Sequence, residues 1–261
     1  MPHASDRSVI NKVPLVTLYF WIIKVLATTV GETGADFLNV NLGFGLTKTS
    51  LLAAVVLVGF LALQMRQDRY VPSIYWVTVV FLSIVGTLLT DSLSDTFGVS
   101  LYVSSAIFAV CLAVTFIAWY RSEHTLSIHD ITTRRREAYY WSAILFTFAL
   151  GTAAGDLVSE KLALGYTVAG LIFGGLIALI TLSYYAKFLN PVLAFWAAYI
   201  LTRPLGASMG DYLTQAHNDG GLGFSTMPVS GVFLVVIVVL VAYLTVSGVD
   251  RSEQASSGHV G

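Results

Sequence analysis

Four aspartates carry the chemistry this sequence offers. Asp36, Asp91, Asp156 and Asp211 each stand 15 residues after a tryptophan (Trp21, Trp76, Trp141, Trp196) and five after a glycine (Gly31, Gly86, Gly151, Gly206). The segments read WIIKVLATTVGETGAD, WVTVVFLSIVGTLLTD, WSAILFTFALGTAAGD and WAAYILTRPLGASMGD. All four acids lie in apolar surroundings. A carboxylate at a bilayer centre costs about 2.5–3.5 kcal/mol and so needs a function or a partner.

On a helix, residues four apart are neighbours on one face. Positions 3, 7, 11, 15 and 19 after each tryptophan read Lys24, Thr28, Glu32, Asp36, Val40; Val79, Ser83, Thr87, Asp91, Asp95; Ile144, Phe148, Thr152, Asp156, Glu160; and Tyr199, Arg203, Ala207, Asp211, Gln215. Each such helix has a polar stripe that turns acidic towards one end. Seven acids (Glu32, Asp36, Asp91, Asp95, Asp156, Glu160 and Asp211) stand against two bases, Lys24 and Arg203, a net −5 if all ionise. Carboxylates so crowded call for a cation, protons or both. Carboxylate, hydroxyl and carbonyl oxygens suit hard ions such as Mn²⁺, Mg²⁺ or Ca²⁺. The sequence therefore predicts that Asp36, Asp91, Asp156 and Asp211 bind a metal ion or protons, helped by Glu32 and Glu160. Lys24 and Arg203 are the expected counter-charges. No Cys/His cluster points to zinc or copper, and no organic cofactor is implied.

These residues need helices inside a membrane to position them. Of 261 residues, 56% are hydrophobic and 11% charged, and the mean hydropathy is +0.77. Soluble proteins average roughly 25% charged residues. Runs such as 51–63, 103–118, 171–182 and 232–246 extend to about 20 residues with their Ser, Thr, Gly and Tyr, which is enough to span a bilayer. The polar start, MPHASDRSVINK, precedes no short apolar core with a cleavage site, so the first span is expected to be retained. A net charge of −1 gives a nucleic-acid partner no support. The single Cys111, inside an apolar run, reads as packing.

The aspartate motif recurs because the chain is a fourfold repeat. A second glycine follows each aspartate, in Gly43-Phe44, Gly98-Val99, Gly165-Tyr166 and Gly223-Phe224, and a further apolar run begins there. Each unit is helix, short loop, helix. Successive tryptophans are 55, 65 and 55 residues apart, so two halves are offset by 120 residues. The expected fold is an all-α membrane protein of eight transmembrane helices, built from four parallel two-helix repeats in two pseudo-symmetric halves. The expected segments are an N-terminal tail (1–12), repeats 1 and 2 (13–120), a connector (121–138), repeats 3 and 4 (139–249) and a C-terminal tail (250–261). Lys and Arg number ten on the side of the termini (Arg7, Lys12, Arg66, Arg69, Arg121, Arg134, Arg135, Arg136, Lys187, Arg251) and two on the other (Lys48, Lys161). That asymmetry predicts a bacterial inner-membrane protein with both termini cytoplasmic. The tryptophans then anchor at the inner interface, and the aspartates lie about 22 Å further out. Stripes converging on a central axis put the odd helices inside and the even helices against lipid.

The motif W-x9-G-x4-D, four times over, resembles a bacterial family of membrane proteins built from four tandem two-span repeats of unknown function. The resemblance runs from about Val13 to Val249 and implies the fold, while bringing no activity. The stretches AAGDLVSEK and SMGDYLT are also similar to the acidic-x-G-D-basic-hydroxyl motif of cation/proton exchangers, but lack its preceding Glu and adjacent basic residue. Intramembrane aspartyl proteases use G-x-G-D and two aspartates; G-x3-G-D, and four equivalent aspartates, do not match them.

The expected function is transport of a cation, above all a divalent metal such as manganese, with proton coupling open and a homo-oligomer compatible. Two other functions stay open: transport of an organic or anionic solute bound by Lys24 and Arg203, and a structural or sensory role in which the carboxylates lock helices together. An enzyme is not expected, since nucleophile–base pairs, P-loops and H-E-x-x-H are missing from the sequence. Gly31, Gly86, Gly151 and Gly206 either let the helices unwind or let them pack closely. Asp95 and Glu160 are alternatively solvated charges in the headgroup zone. His124, His129 and His217 read as loop residues, and Arg134–Arg136 as a topology signal.

Overall fold

The computed structural model describes residues 11–251, without the side chains of Val40, Asn41 and Asp219. Arg7 and the rest of 1–10, and 252–261, lie outside the described residues. Eight long helices follow one another: α1 (Leu18–Asp36), α2 (Leu46–Arg66), α3 (Pro72–Asp91), α4 (Leu101–Glu123), α5 (Arg134–Asp156), α6 (Gly165–Tyr185), α7 (Pro191–Thr214) and α8 (Thr226–Ser247). Among the described residues there is no strand.

Local chemistry sets the helix starts. Thr17, Ser100 and Thr133 cap α1, α4 and α5 by accepting from the backbone N–H three residues on. Pro72 and Pro191 open α3 and α7, where a missing N–H costs nothing. The repeated second glycines Gly43, Gly98, Gly165 and Gly223 all have φ between +64° and +77°, a conformation that disfavours a Cβ. They turn the chain into the even helices.

The odd helices form a closed ring. α1 packs on α3, α3 on α5, α5 on α7, and α7 returns to α1. The even helices form an outer layer shifted by one place: α2 packs on α3, α4 on α5, α6 on α7 and α8 on α1. Burial follows this division. The most apolar stretches of α3, α5 and α7 are 72%, 56% and 61% buried, against 11–22% in the even helices. Leu51, Val55, Val110, Leu171, Val235 and Val246 stand exposed on the outer layer, an apolar surface that water does not tolerate over such an area.

Among the described residues, seven helices are long and apolar enough to cross a membrane. The exception is α1, expected as the first span. Its 19 residues include Lys24, Glu32 and Asp36, and it is held among α3, α7 and α8. There its polar groups need no contact with hydrocarbon.

One end of the ring, the base, carries the starts of the odd helices, the 124–133 connector and residues 11–17. The other end, the mouth, carries the aspartates and the short loops after them. Of the described Lys and Arg outside the ring, Lys48 and Lys161 are at the mouth and the others at the base. Lys12, expected in a solvated tail, is buried. It donates to Glu137 at 2.8 Å, and Gln64 donates to the same carboxylate at 3.2 Å.

Candidate functional site

The base of the axis is shut by aromatic rings. Phe20, Tyr75, Tyr140 and Phe195 each precede a repeat tryptophan, and each tryptophan packs on that ring of a neighbouring helix. The centroid separations are 5.5 Å for Trp76–Phe20, 5.3 Å for Trp141–Tyr75, 6.2 Å for Trp196–Tyr140 and 5.7 Å for Trp21–Phe195. The Tyr75 and Tyr140 hydroxyls share a 2.5 Å hydrogen bond. Of the expected roles, interface anchor and packing residue, the structure shows the packing: Trp76, Trp141 and Trp196 are buried inside the bundle, and Trp21 is half-buried. The sequence held the signal, an aromatic residue before every repeat tryptophan, but not which ring it meets.

About three turns further, the repeat glycines seat the next helix. A Cβ on Gly31 would strike Ser83; on Gly86, Phe148; on Gly151, Arg203; on Gly206, Thr28. Each struck residue lies three positions before the glycine of its own helix, so one knob-and-seat contact is repeated around the whole ring. α1, α3, α5 and α7 run as uninterrupted helix through these glycines, each with a neighbouring helix packed close against it. Hydroxyls tie the seams: Thr29 donates to Gly206 O at 3.1 Å and Thr90 to Ala149 O at 3.0 Å.

The helical irregularity lies not at the glycines but beyond the aspartates. A π-helical turn starts directly after three of the aspartates, at Phe37–Asn41, Ser92–Thr96 and Leu157–Lys161. In the fourth repeat α7 continues to Thr214 without one. Such turns widen a helix and are frequent at functional sites.

Arg203 fills the centre of the ring and is fully buried. It donates to Thr28 O on α1 at 2.8 Å, to Glu32 at 2.7 Å, to Thr152 on α5 at 2.8 Å, and to Thr87 on α3. One guanidinium thus joins all three other inner helices. Its five-donor fork suits that geometry better than a lysine would. Thr87 also donates to Glu32, at 3.4 Å. Lys24, one turn closer to the base, is equally buried, with its ammonium 4.1 Å from the Phe148 ring centre and 4.2 Å from that of Tyr199. The sequence named both bases and Glu32; that Thr87 and Thr152 belong with Arg203 depends on the helix register alone.

Above this plug stand the four aspartates. Asp211 is buried, Asp36, Asp91 and Asp156 are half-buried, and Asp95 and Glu160 are exposed at the rim. The structure brings the acids into one field. Asp156 lies within electrostatic reach of Glu32, Asp211, Glu160 and Asp91, and Asp36 within reach of Glu32 and Glu160. Asp91 is within reach of Glu32, Asp36 and Asp95, and Asp211 of Glu32, Asp36 and Glu160, with the Arg203 charge reaching both. Glu32 is engaged by Arg203, whereas the four aspartate side chains have no hydrogen-bond or ion-pair partner among the described residues. Also among the described residues, no three His, Cys, Asp or Glu side chains converge closely enough to hold a metal ion. An open cavity of about 400 Å³ at the rim is lined by Ser159, Glu160, Tyr166 and Asn218. A larger apolar groove of about 660 Å³, between α1, α6 and α7 near the base, is lined by none of the acids.

A family model described as Repeat of Unknown Function (DUF347) matches residues 19–70, 74–125, 139–187 and 194–250. Each match takes in nearly all of one odd helix and the even helix that follows it. Neither a curated protein nor a solved structure matches the chain.

Proposed function

We propose that this chain, which belongs to the DUF347 repeat family, is a bacterial inner-membrane transporter that moves a cation through its ring of four aspartates. Its eight helices cross the bilayer with the base towards the cytoplasm, as the basic residues at that end favour. The mouth then faces the periplasm. The observation that carries this reading is the acid ring itself: four aspartates with no hydrogen-bond or ion-pair partner among the described residues, opening outward past Asp95 and Glu160 and ending on a closed Arg203–Glu32 pair. Arg203 reaches only Asp91 and Asp211 electrostatically, and one guanidinium shared with Glu32 does not balance four carboxylates, which are costly at that depth unless they meet a cation or a proton.

The aspartates stand too far apart for a ready-made coordination shell. That favours an ion which keeps part of its water, as Mg²⁺-like ions do; Mn²⁺ is the first candidate. Protons neutralise the same carboxylates between cargo ions, which gives a route to proton coupling. With the aromatic plug and the Arg203–Glu32 pair closed, the geometry corresponds to an outward-facing state. Release towards the base requires both to part.

The test is Mn²⁺ uptake into proteoliposomes by wild type and by Asp36→Asn, Asp91→Asn, Asp156→Asn and Asp211→Asn. Each variant is checked for normal insertion and a monodisperse detergent profile. The expected result is a loss of flux of tenfold or more in Asp91→Asn and Asp156→Asn. Wild-type flux in all four variants would end the proposal. If Arg203→Gln alone abolished transport of an organic anion, the site would move to the basic pair. Loss of folded yield in every aspartate variant would make the acids structural.

A further inference from the structure

We infer that the ring centre, below the acids, holds a small inorganic anion of halide size between Lys24 and Arg203. The inference rests on unmatched donors, and it is independent of what the acid ring transports.

Between the Tyr75–Tyr140 pair and the aspartates, the core contains two buried cations and one carboxylate in contact with either. Arg203 takes Glu32. The Lys24 ammonium has no hydrogen-bond partner among the described residues and is completely buried. Asp36 lies 12 residues further along the same helix, about 18 Å away at 1.5 Å per residue, and Glu32 about 12 Å away. The ring faces of Phe148 and Tyr199 attract the ammonium but leave its three N–H donors unsatisfied. A buried charge in such surroundings requires a counter-charge.

Arg203 lies within electrostatic reach of Lys24, and further unmatched donors stand on the same inner helices. Arg203 Nε, Ser83 Oγ and Tyr199 Oη are buried and have no hydrogen-bond partner among the described residues. Ser83 and Arg203 occupy equivalent positions in their repeats, each seated on the glycine of a neighbouring helix. Tyr199 is one turn before Arg203, and its ring lies against Lys24. The Lys24 ammonium, the one Arg203 N–H left over from its four other bonds, and two hydroxyls make a donor set for an anion. The tight glycine seats on both sides favour a small one. Bound there, it supplies Lys24 with the close counter-charge that Glu32 gives Arg203, and fixes both bases beneath the acid ring.

The test is thermal unfolding of the purified full chain in detergent, with sodium chloride replacing sodium gluconate at constant ionic strength. Wild type is expected to show a saturable rise, about 5 °C or more at a hundredfold excess over the apparent Kd. Lys24→Met keeps the length and the contact with the rings and should remain folded with no chloride response. Lys48→Met, at the mouth, should respond as wild type does. Ser83→Ala should shift the chloride midpoint several-fold higher, and it decides the matter if Lys24→Met fails to fold. Absence of a chloride response in wild type overturns the inference. So does an unchanged response in Lys24→Met or, where that variant does not fold, in Ser83→Ala. Because the readout is stability without transport, it stands or falls apart from the flux of the aspartate variants.

Discussion

Adding one methyl group at Gly86 should force α3 and α5 apart, and the size of the effect follows from the seam. The new Cβ would sit 2.6 Å from Phe148 Cβ and 3.1 Å from the backbone of Ala149 and Phe148. A Cβ–Cβ contact needs about 4 Å, so the helices must separate by more than an ångström, and backbone on the far side cannot rotate away. Overpacking of this kind costs typically 1–3 kcal/mol. The same displacement breaks the Thr90–Ala149 hydrogen bond across the seam, for about 1 kcal/mol more. The total, about 2–4 kcal/mol, corresponds to a fall in unfolding temperature on the order of 10 °C. Gly59 supplies the control. It is exposed on α2, and a methyl there meets nothing within 4 Å. Gly59→Ala removes a helix-weakening glycine and should raise stability by up to about 1 kcal/mol. Intrinsic tryptophan fluorescence during heating in detergent reads both variants. If Gly86→Ala unfolds with wild type, or Gly59→Ala is the more damaged, the packing-seat account of the repeat glycines is wrong.

The central pair should behave as a unit. Glu32→Gln leaves Arg203 buried without its carboxylate and should cost about 3–5 kcal/mol, whereas Glu32→Gln with Arg203→Met should cost less than the two single changes added together. A thermal double-mutant cycle checks this, and strict additivity would refute it. At the base, beyond the end of α8, burial pushes the Asp250 carboxyl above its usual range, while the Tyr70 hydroxyl, donating at 2.6 Å, pulls it back. A raised folded-state value means that ionised Asp250 opposes folding, and that this penalty disappears as pH falls through its titration. Asp250→Asn should therefore unfold at a higher temperature than wild type at pH 7, with the gap closing towards pH 4. A gap that is constant, or widens on acidification, would refute this assignment.

The sequence by itself determined the repeat, the helical class and the identity of the acids. Period, composition and the spacing of Trp, Gly and Asp are properties of the chain, and a stripe at every fourth residue has one face whatever it packs against. It also marked Lys24 and Arg203 as the bases among those acids. It left the repeat glycines undecided, because a glycine that bends a helix and one that receives a neighbour look the same until the neighbour is in place. Phe148 and Arg203 are those neighbours for Gly86 and Gly151. Only the tertiary structure decided which ring each tryptophan packs against at the base, since helix rotation, which composition does not encode, turns them inward. Only it joined Arg203 to Glu32, Thr87 and Thr152 on three other helices, and Lys12 to Glu137 across 125 residues of chain. Such pairings depend on helix register and rotation about a shared axis. Those are set by the sum of many seam contacts and not by any motif that can be read locally.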